Sequence, residues 1–434
     1  SGNGSGNSSD SPLISGFVAR ALSERHWTEE YAHVTSRRVS FHHPEKPQQK
    51  PQATISIHGI LNVSVLPPED SPFMPRFYFL TIETLGRCVY LMFRDEQERD
   101  GWVDVLMGLK KRQQDNDDER ECTTLLDDAS SVGIAVFDDY SEAAFLHEST
   151  VWNNKQRRIL NCRKFCFHSD DNNERIHPNT LSQELLKLVV QPLDDSNDTT
   201  TLLRFMDAVS LLKTVNVTTT RLSPRERLAF FINIYHVLIM HAYLLLGPPT
   251  SAFKWSHYFN TISYQCSDDI FSLTELEHNI IRSSMANPSQ FVSKFVLPKS
   301  KYSFSSKMQD FRICFALNCG SICAPDALYV YTPENLEQTL FRATADFLAK
   351  GASVTVVGRR RVTVVVTLPR ICQWFSHDFP ADVVKTLLPY FSNEIQAILR
   401  DADHVHVKYS AFSFECQRIF KLANVVETIK TTTP

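Results

Sequence analysis

The sequence predicts a multidomain protein: a small antiparallel β-barrel capped by a C-terminal helix, then a mainly helical α/β (α+β) domain. Three observations carry this. The chain has 434 residues, more than one hydrophobic core usually organises. Its first hundred or so residues alternate apolar and polar in short runs that end in one amphipathic stretch. Beyond residue 175, long helical patterns enclose a few β-rich runs.

Composition narrows the classes. The hydrophobic fraction of 43% supports sizeable cores, and the net charge of -4 argues against a nucleic-acid binder, which normally carries a basic excess. Ten cysteines lie scattered without framework spacing, which indicates a reducing compartment. Neither a signal peptide nor a membrane span is read, so the expected location is cytoplasmic, with peripheral membrane contact as a variant. Residues 1–15, opening SGNGSGNSSD, read as a flexible leader.

Residues 16–112 form the first domain. GFVARAL, EYAHVTS, RVSFHH, TISIHGILNVSVL, RFYFLTIET and RCVYLMF are strand candidates. The helix at Asp95–Lys111 places Trp102, Val103, Leu106 and Leu109 on one face. Residues 113–145 begin with QQDNDDERECTTLLDD, a solvated acidic linker. The second domain, 146–434, starts with mixed patterning. HPNTLSQELLKLVVQPL is a helix expected to stop at Pro192, and TTTLLRFMDAVSLLKTV is another.

The stretch from Ser223 to Gly247 organises this domain. Ser223, Pro224 and Glu226 form a capping box with proline at the first helical position, and Gly247 followed by two prolines is a stop. Nearly every side chain after Leu228 is apolar, so the helix is buried on most sides. Asn233, His236 and His241 inside the run exclude a membrane span. A buried Asn233 must find partners, and a structural pin is favoured over a site role. In IFSLTELEHNIIRSS, Ser272 and Glu275 make a second capping box, while Phe271 and Leu276 form a staple. Leu273, Leu276 and Ile280 form its buried stripe, and His278 and Arg282 share another face. FRICFALNC reads as a strand leading to Gly320 and Ser321. A helix capped by Thr332, a hairpin over 353–368, short helices from 369 to 400 and a strand at HVHVKYSAF complete the chain.

HWTEEYAHVT, RRVSFHH, ATISIHGILNV and the helix with Trp102 together resemble a pleckstrin-homology domain. That resemblance implies an inositol-phosphate site between the first two strands, for which Arg20, Arg25 and His26 are the candidates. Glu29 and Glu30 stand where the family's basic pair would follow Trp27. Residues 16–112 hold 13 Lys plus Arg against 12 Asp plus Glu, so no basic field compensates. The favoured partner is therefore a protein bound through the barrel, with weak phosphoinositide or membrane-surface contact as the alternative.

The blocks LSPRERLAFFINIYHVLIMHAYL, FSLTELEHNIIR, FRICFALNCGS with VYTPENLEQTL, and TLPRICQWFSHDF resemble the domain-of-unknown-function 547 family over about 180–415. The family's polar signature falls on Asn233, Glu277, His278, Arg282, Cys319, Gly320, Ser321, Asp378 and Phe379. There are departures: His236 replaces the family's usual asparagine, Tyr409, Ser410, Ala411 and Phe412 replace a late Tyr-Asp-Trp motif, and relatives can carry serine in place of Cys319.

Two functions follow as expectations. One is an adaptor or regulator docking through the barrel. The other is a cysteine-dependent hydrolase or transferase acting on an amide or ester. There Cys319 is the nucleophile, His278 the base, Asp378 its orienter and Asn233 a supporter, with Glu277, Arg282, Gly320 and Ser321 around them and His377 as an alternative base. No cofactor is expected. Cys319 with Cys323, and His404 with His406, lack a second ligand pair at metal-binding spacing, so no metal is expected either. Arg359, Arg360 and Arg361 read as a charged hairpin tip.

Overall fold

The computed structural model describes residues 11–23, 26–66, 77–84, 86–118, 145–146, 157–163, 176–194, 199–218, 221–249, 251–267, 269–286, 302–357, 362–416 and 421–423. Arg25 and Arg359–Arg361 lie outside them, as does the side chain of His26. The chain divides into two compact units. The first spans 1–145 with 161–174 and 196–210; the second holds the remainder.

The first unit is built on a seven-stranded antiparallel sheet, β1 (Ile14–Ser23), β2 (His26–Val34), β3 (Arg38–His42), β4 (Ala53–Ser56), β5 (Asn62–Leu66), β6 (Tyr78–Glu83) and β7 (Cys88–Phe93). The order β4-β3-β2-β1-β7-β6-β5 leaves β4 and β5 as edges, so the sheet is open and the expected closed barrel is corrected. The reason is local: a 3₁₀ turn at Ile57–Gly59 carries the chain from one edge to the other without a shared ladder. β1 and β2 pair in antiparallel register from Ile14 with Val34 to Ser23 with His26. Helix α1 (Glu96–Asp118) packs Trp102, Leu106 and Leu109 onto the sheet among Val18, Phe41, Leu80 and Leu91. It continues six residues past Arg112, into the stretch read as linker. Asp95 caps it by accepting from the Glu98 N–H at 3.0 Å.

Within this unit, Arg163 is fully buried. Its guanidinium donates to the Thr84 carbonyl in the β6–β7 turn and pairs with Asp207 at 2.5 Å and Glu83 at 3.4 Å. Asp207 belongs to helix α3 (Thr199–Ser210), which follows α2 (Pro178–Asp194) in the sequence. The expected stop of α2 at Pro192 is corrected: proline removes one backbone hydrogen bond, and the helix runs two residues further.

The second unit is arranged around α4 (Pro224–Leu246), 23 residues or roughly 35 Å long. Ser223 and Glu226 form the expected capping box, and Gly247 ends the helix at φ 69°. The helix is long and apolar enough to cross a membrane, and it is buried from Arg227 to Leu245. Helix α5 (Ala252–Thr261) follows, then β10 (Ile262–Cys266) and β11 (Asp269–Ser272). These two strands form a sheet with β8 (Phe145–Leu146) and β9 (Arg157–Ile159) in the order β11-β10-β9-β8. The Ser272–Glu275 capping box opens α6 (Leu273–Glu275), which widens into a π-helical turn at Leu276–Ile281.

FRICFALNC holds no strand. It forms helix α7 (Ile313–Ala316), started by Asp310, whose carboxylate accepts from the Arg312 N–H at 2.9 Å. All four residues of α7 are buried, and an uninterrupted apolar run has no polar alternation to separate helix from strand. Helix α8 (Leu336–Gly351) starts after Asn335, one turn later than a cap at Thr332 would place it. Thr332 and Asn335 instead close the preceding turn by reciprocal bonds of 2.8 and 3.2 Å. Strand β12 (Ala327–Tyr329) pairs in parallel with β16 (Lys421–Ala423). The 353–368 hairpin forms as β13 (Ser353–Val357) and β14 (Thr363–Leu368), and β15 (His404–Tyr409) adds in parallel to β14. Helices α9 (Arg370–Trp374), α10 (Val383–Leu387) and α11 (Asn393–Arg400) complete a core with Phe315, Phe347, Val364, Val366, Leu368 and Phe379.

Candidate functional site

Five polar side chains within the apolar run of α4 reach out to other segments. Asn233 donates to the Tyr331 carbonyl at 2.8 Å and to Ser182 Oγ at 3.2 Å, and accepts from the Tyr331 N–H at 2.9 Å. Tyr235 donates to Glu277 Oε2 at 3.2 Å. His236 Nε2 accepts from the Asn318 N–H at 3.2 Å and lies 3.1 Å from the Ala316 carbonyl. His241 meets the Tyr264 hydroxyl at 2.8 Å. Tyr243 donates to the Cys319 carbonyl at 2.9 Å and lies 3.2 Å from Cys416 Sγ. One helix thereby fixes the π-helical turn, the segment after α7 and the chain near 416.

Cys319 follows α7 in a loop held on several sides. Gly320 adopts φ 82°, a left-handed conformation suited to glycine. Its N–H donates to Asn318 Oδ1 at 2.9 Å, so this amide is already engaged. Ser321 bridges to Cys416, and its hydroxyl donates to the Ser413 carbonyl at 2.7 Å. Cys319 is half-buried. Burial pushes its thiol up to about 12, with the Glu277 carboxylate adding to the rise and a backbone N–H of Ser321 opposing it. The thiol is therefore neutral at physiological pH. Burial also raises Tyr235 far above its ordinary value, reinforced by Glu277 and then Cys319. Cys319, Glu277 and Tyr235 thus form one electrostatic neighbourhood.

His278 and Glu277 are adjacent, with His278 Nε2 3.8 Å from Glu277 Oε1. Burial lowers the His278 pKa, the Glu277 carboxylate opposes that shift and Arg282 reinforces it. Asp378 faces Arg282 rather than His278. Its carboxylate takes an Arg282 N–H through one oxygen and the Ala286 N–H at 3.1 Å through the other. The Arg282 guanidinium also stacks 3.8 Å over the Phe375 ring. His377 lies beside Asp378 in a 3₁₀ turn.

The sequence-named residues therefore separate into two constellations. Glu277 and Cys319 lie near Tyr235 with His278 beside Glu277, whereas Arg282 and Asp378 pair with each other, and Asn233 pins Tyr331. Sequence reading missed Tyr235, Tyr243 and Cys416. The signal for the tyrosines was their hydroxyls inside a buried helix, the same signal that singled out Asn233. His404 and His406 are exposed on β15. No group of three or more His, Cys, Asp or Glu suited to a metal is found among the described residues.

In the first unit, Arg20 does not project a free charge. Its Nε and Nη2 form a two-pronged pair with Glu30 at 2.6 and 2.8 Å, and its guanidinium lies 5.0 Å over the Phe41 ring. Glu30 is buried, so the pair sits on the core side of the sheet. On the solvent side, Phe17 is 57% exposed and meets Tyr31 edge-on at 5.3 Å.

These features define a chain that joins an open sheet-and-helix module to an α/β unit built on one buried helix. Comparison with known families then identifies the modules: residues 12–111 match the PH domain, and residues 219–348 match the family described as Protein of unknown function, DUF547. The chain carries both domains, in that order. Among solved structures, it is similar to the solution structure of the N-terminal PH domain of human ARAP2. That likeness is 19% identical with a TM-score of 0.20, and covers 26% of this chain and 88% of that one. No curated protein matches the sequence.

Proposed function

We propose that the chain is an adaptor or regulatory protein that docks to a protein partner through its PH domain and carries the DUF547 domain to it. The observation that supports this most is the closure of Arg20 by Glu30. A headgroup site needs several unpaired cations converging on phosphate. Here the first strand's arginine already has a carboxylate, held in two prongs at 2.6 and 2.8 Å. The exposed Phe17, with the half-buried Tyr31 edge-on beside it, offers instead an apolar and aromatic contact of the kind that anchors protein interfaces. Peripheral membrane association then follows from the partner rather than from a phosphoinositide.

The test is co-sedimentation of the full chain with neutral vesicles and with vesicles containing phosphatidylinositol bisphosphate. Equal sedimentation is expected, unchanged by Arg20→Gln. Enrichment above about tenfold on phosphoinositide vesicles, lost in Arg20→Gln, would overturn the reading. In parallel, a photo-crosslinking phenylalanine analogue at position 17 should give a discrete protein adduct that excess unmodified chain competes away.

A second reading is supported by one specific observation: Cys319, Glu277 and Tyr235 share a buried electrostatic neighbourhood next to His278. On this reading the DUF547 domain is a cysteine-dependent hydrolase or transferase on amides or esters, with Cys319 as nucleophile and His278 as base. It requires substrate to displace what now raises the thiol. The measurement is the pH dependence of Cys319 alkylation in the wild type and in His278→Ala. Reaction well below a free thiol's value of about 8.5, abolished in His278→Ala, supports catalysis. An inert or histidine-indifferent thiol removes it.

A further inference from the structure

Away from Cys319, the second unit contains a cavity of about 250 Å³ that no function above uses. Its apolar wall is Ile322, Phe347, Ile371 and Phe412, and its polar wall is Lys350 and Arg370, with Cys323 also on the lining. No Asp or Glu lines it, so two cations face the space without a lining carboxylate. Each cation is anchored by backbone and keeps further donors. Lys350 Nζ donates to the Ala324 carbonyl at 2.5 Å, which leaves two of its three hydrogens. Arg370 donates through Nε to the Ser410 carbonyl at 2.8 Å and through Nη1 to Gln373 Oε1 at 2.7 Å. These contacts leave part of a five-donor fork for a ligand. The rim is tight by design of sequence: a Cβ on Gly351 would stand 3.0 Å from the Pro369 ring, so only glycine leaves this wall undisturbed.

We infer that this cavity binds a small amphipathic carboxylate, with its aliphatic or aromatic body against Ile322, Phe347, Ile371 and Phe412 and its anionic group on Lys350 and Arg370. The volume suits a ligand of few heavy atoms, below the usual range for drug-sized molecules. A planar guanidinium that shares the lining with an ammonium recognises a carboxylate by hydrogen bonds as well as charge. The Cys323 thiol accepts from the Ser413 N–H at 3.3 Å, which holds the sulfur in place on the lining. It serves as a reporter of what enters.

The experiment uses the full chain and two reagents that differ in charge, iodoacetate and iodoacetamide. Each alkylates a thiol by forming a carbon–sulfur bond, releasing iodide and the thiol proton. The rate ratio of iodoacetate to iodoacetamide at Cys323, read by peptide mass spectrometry, is divided by the same ratio for glutathione. The expected normalised ratio is about ten, because two cations on the lining concentrate the anionic reagent. Millimolar hexanoate should protect Cys323, while hexanol at the same concentration should not. Lys350→Met, which keeps the aliphatic stem, should bring the ratio towards one. A normalised ratio near one in the wild type, equal protection by hexanol, or a thiol inert to both reagents overturns the inference. The wild-type ratio decides the matter even if the variant fails to fold.

Discussion

The β1–β2 hairpin of the PH domain joins a buried ion pair across neighbouring strands, whereas buried polar pairs of the DUF547-containing unit join distant segments. Arg20 and Glu30 face each other across the β1–β2 hairpin, ten residues apart. In the second unit, Arg157 joins Glu275 across 118 residues, Asn233 joins Tyr331 across 98 and Arg282 joins Asp378 across 96. A hairpin pair forms with the turn itself. A pair separated by a hundred residues forms only when the whole domain has closed, because loop-closure entropy precedes the contact. These long-range pairs should therefore be more sensitive to loss of one partner than the hairpin pair.

The strongest test of that difference is Glu275→Ala. Glu275 is fully buried, binds Arg157 in two prongs at 2.5 and 2.8 Å, and completes the Ser272 capping box. Removing it takes the carboxylate away from a buried guanidinium, so the loss should be about 3–5 kcal/mol in urea unfolding. The double variant Arg157→Met with Glu275→Leu should recover most of it, since neither buried charge remains. If Glu275→Ala costs under about 1 kcal/mol, water reaches Arg157 and the contrast between units fails.

Acidification gives the next largest effect. Burial lowers His236 from its ordinary value of 6.5 to about 4. Between those values the unfolded chain binds a proton that the folded chain does not, so stability is full above pH 6.5 and falls as pH drops towards 4. Below about 4 both states are protonated and this contribution is flat. The difference amounts to about 3 kcal/mol. His236→Asn should remove that part of the acid limb, measured as urea midpoints at pH 7 and pH 4.5. An unchanged limb in His236→Asn would show that His236 titrates normally in the folded chain.

How much of this was legible follows from the same contrast. The strands of the PH domain and its Trp102 helix could be read because period-two alternation and a local amphipathic stripe are written within a few residues of each other. The openness of its sheet was not legible, because ladder closure depends on how β4 and β5 meet around Ile57–Gly59. Helix α4 and both capping boxes were legible from local spacing. The helix α7 was not, because its four buried residues carry no alternation. The partners of Asn233, Asp378 and Tyr243 lie far along the chain, where spacing carries no information. Arg282 claims Asp378 in space, although His278 stood as near to it in the motif.

Glu30→Ala is the corresponding break in the first unit. It removes the partner of Arg20, whose side chain retains 12% exposure and so can turn towards solvent. The expected loss is about 2 kcal/mol, below that of Glu275→Ala, because partial hydration replaces part of the interaction. A loss equal to that of Glu275→Ala would erase the distinction between hairpin and long-range pairs.

The smallest effect sets two capping boxes of the second unit side by side, one exposed and one buried. Ser223 is exposed at the start of α4, and Ser272 is buried at the start of α6. Both hydroxyls accept from the third helical N–H at 3.3 Å. In Ser223→Ala, water can satisfy the freed N–H, so the cost should be about 0.5–1 kcal/mol. In Ser272→Ala the freed N–H of Glu275 stays dry, which adds a desolvation penalty and takes the cost to about 2 kcal/mol. Urea midpoints of the two variants measured side by side isolate that increment. Equal costs would mean that the start of α6 is hydrated, and the Arg157–Glu275 pair beside it would then be weaker than its burial implies.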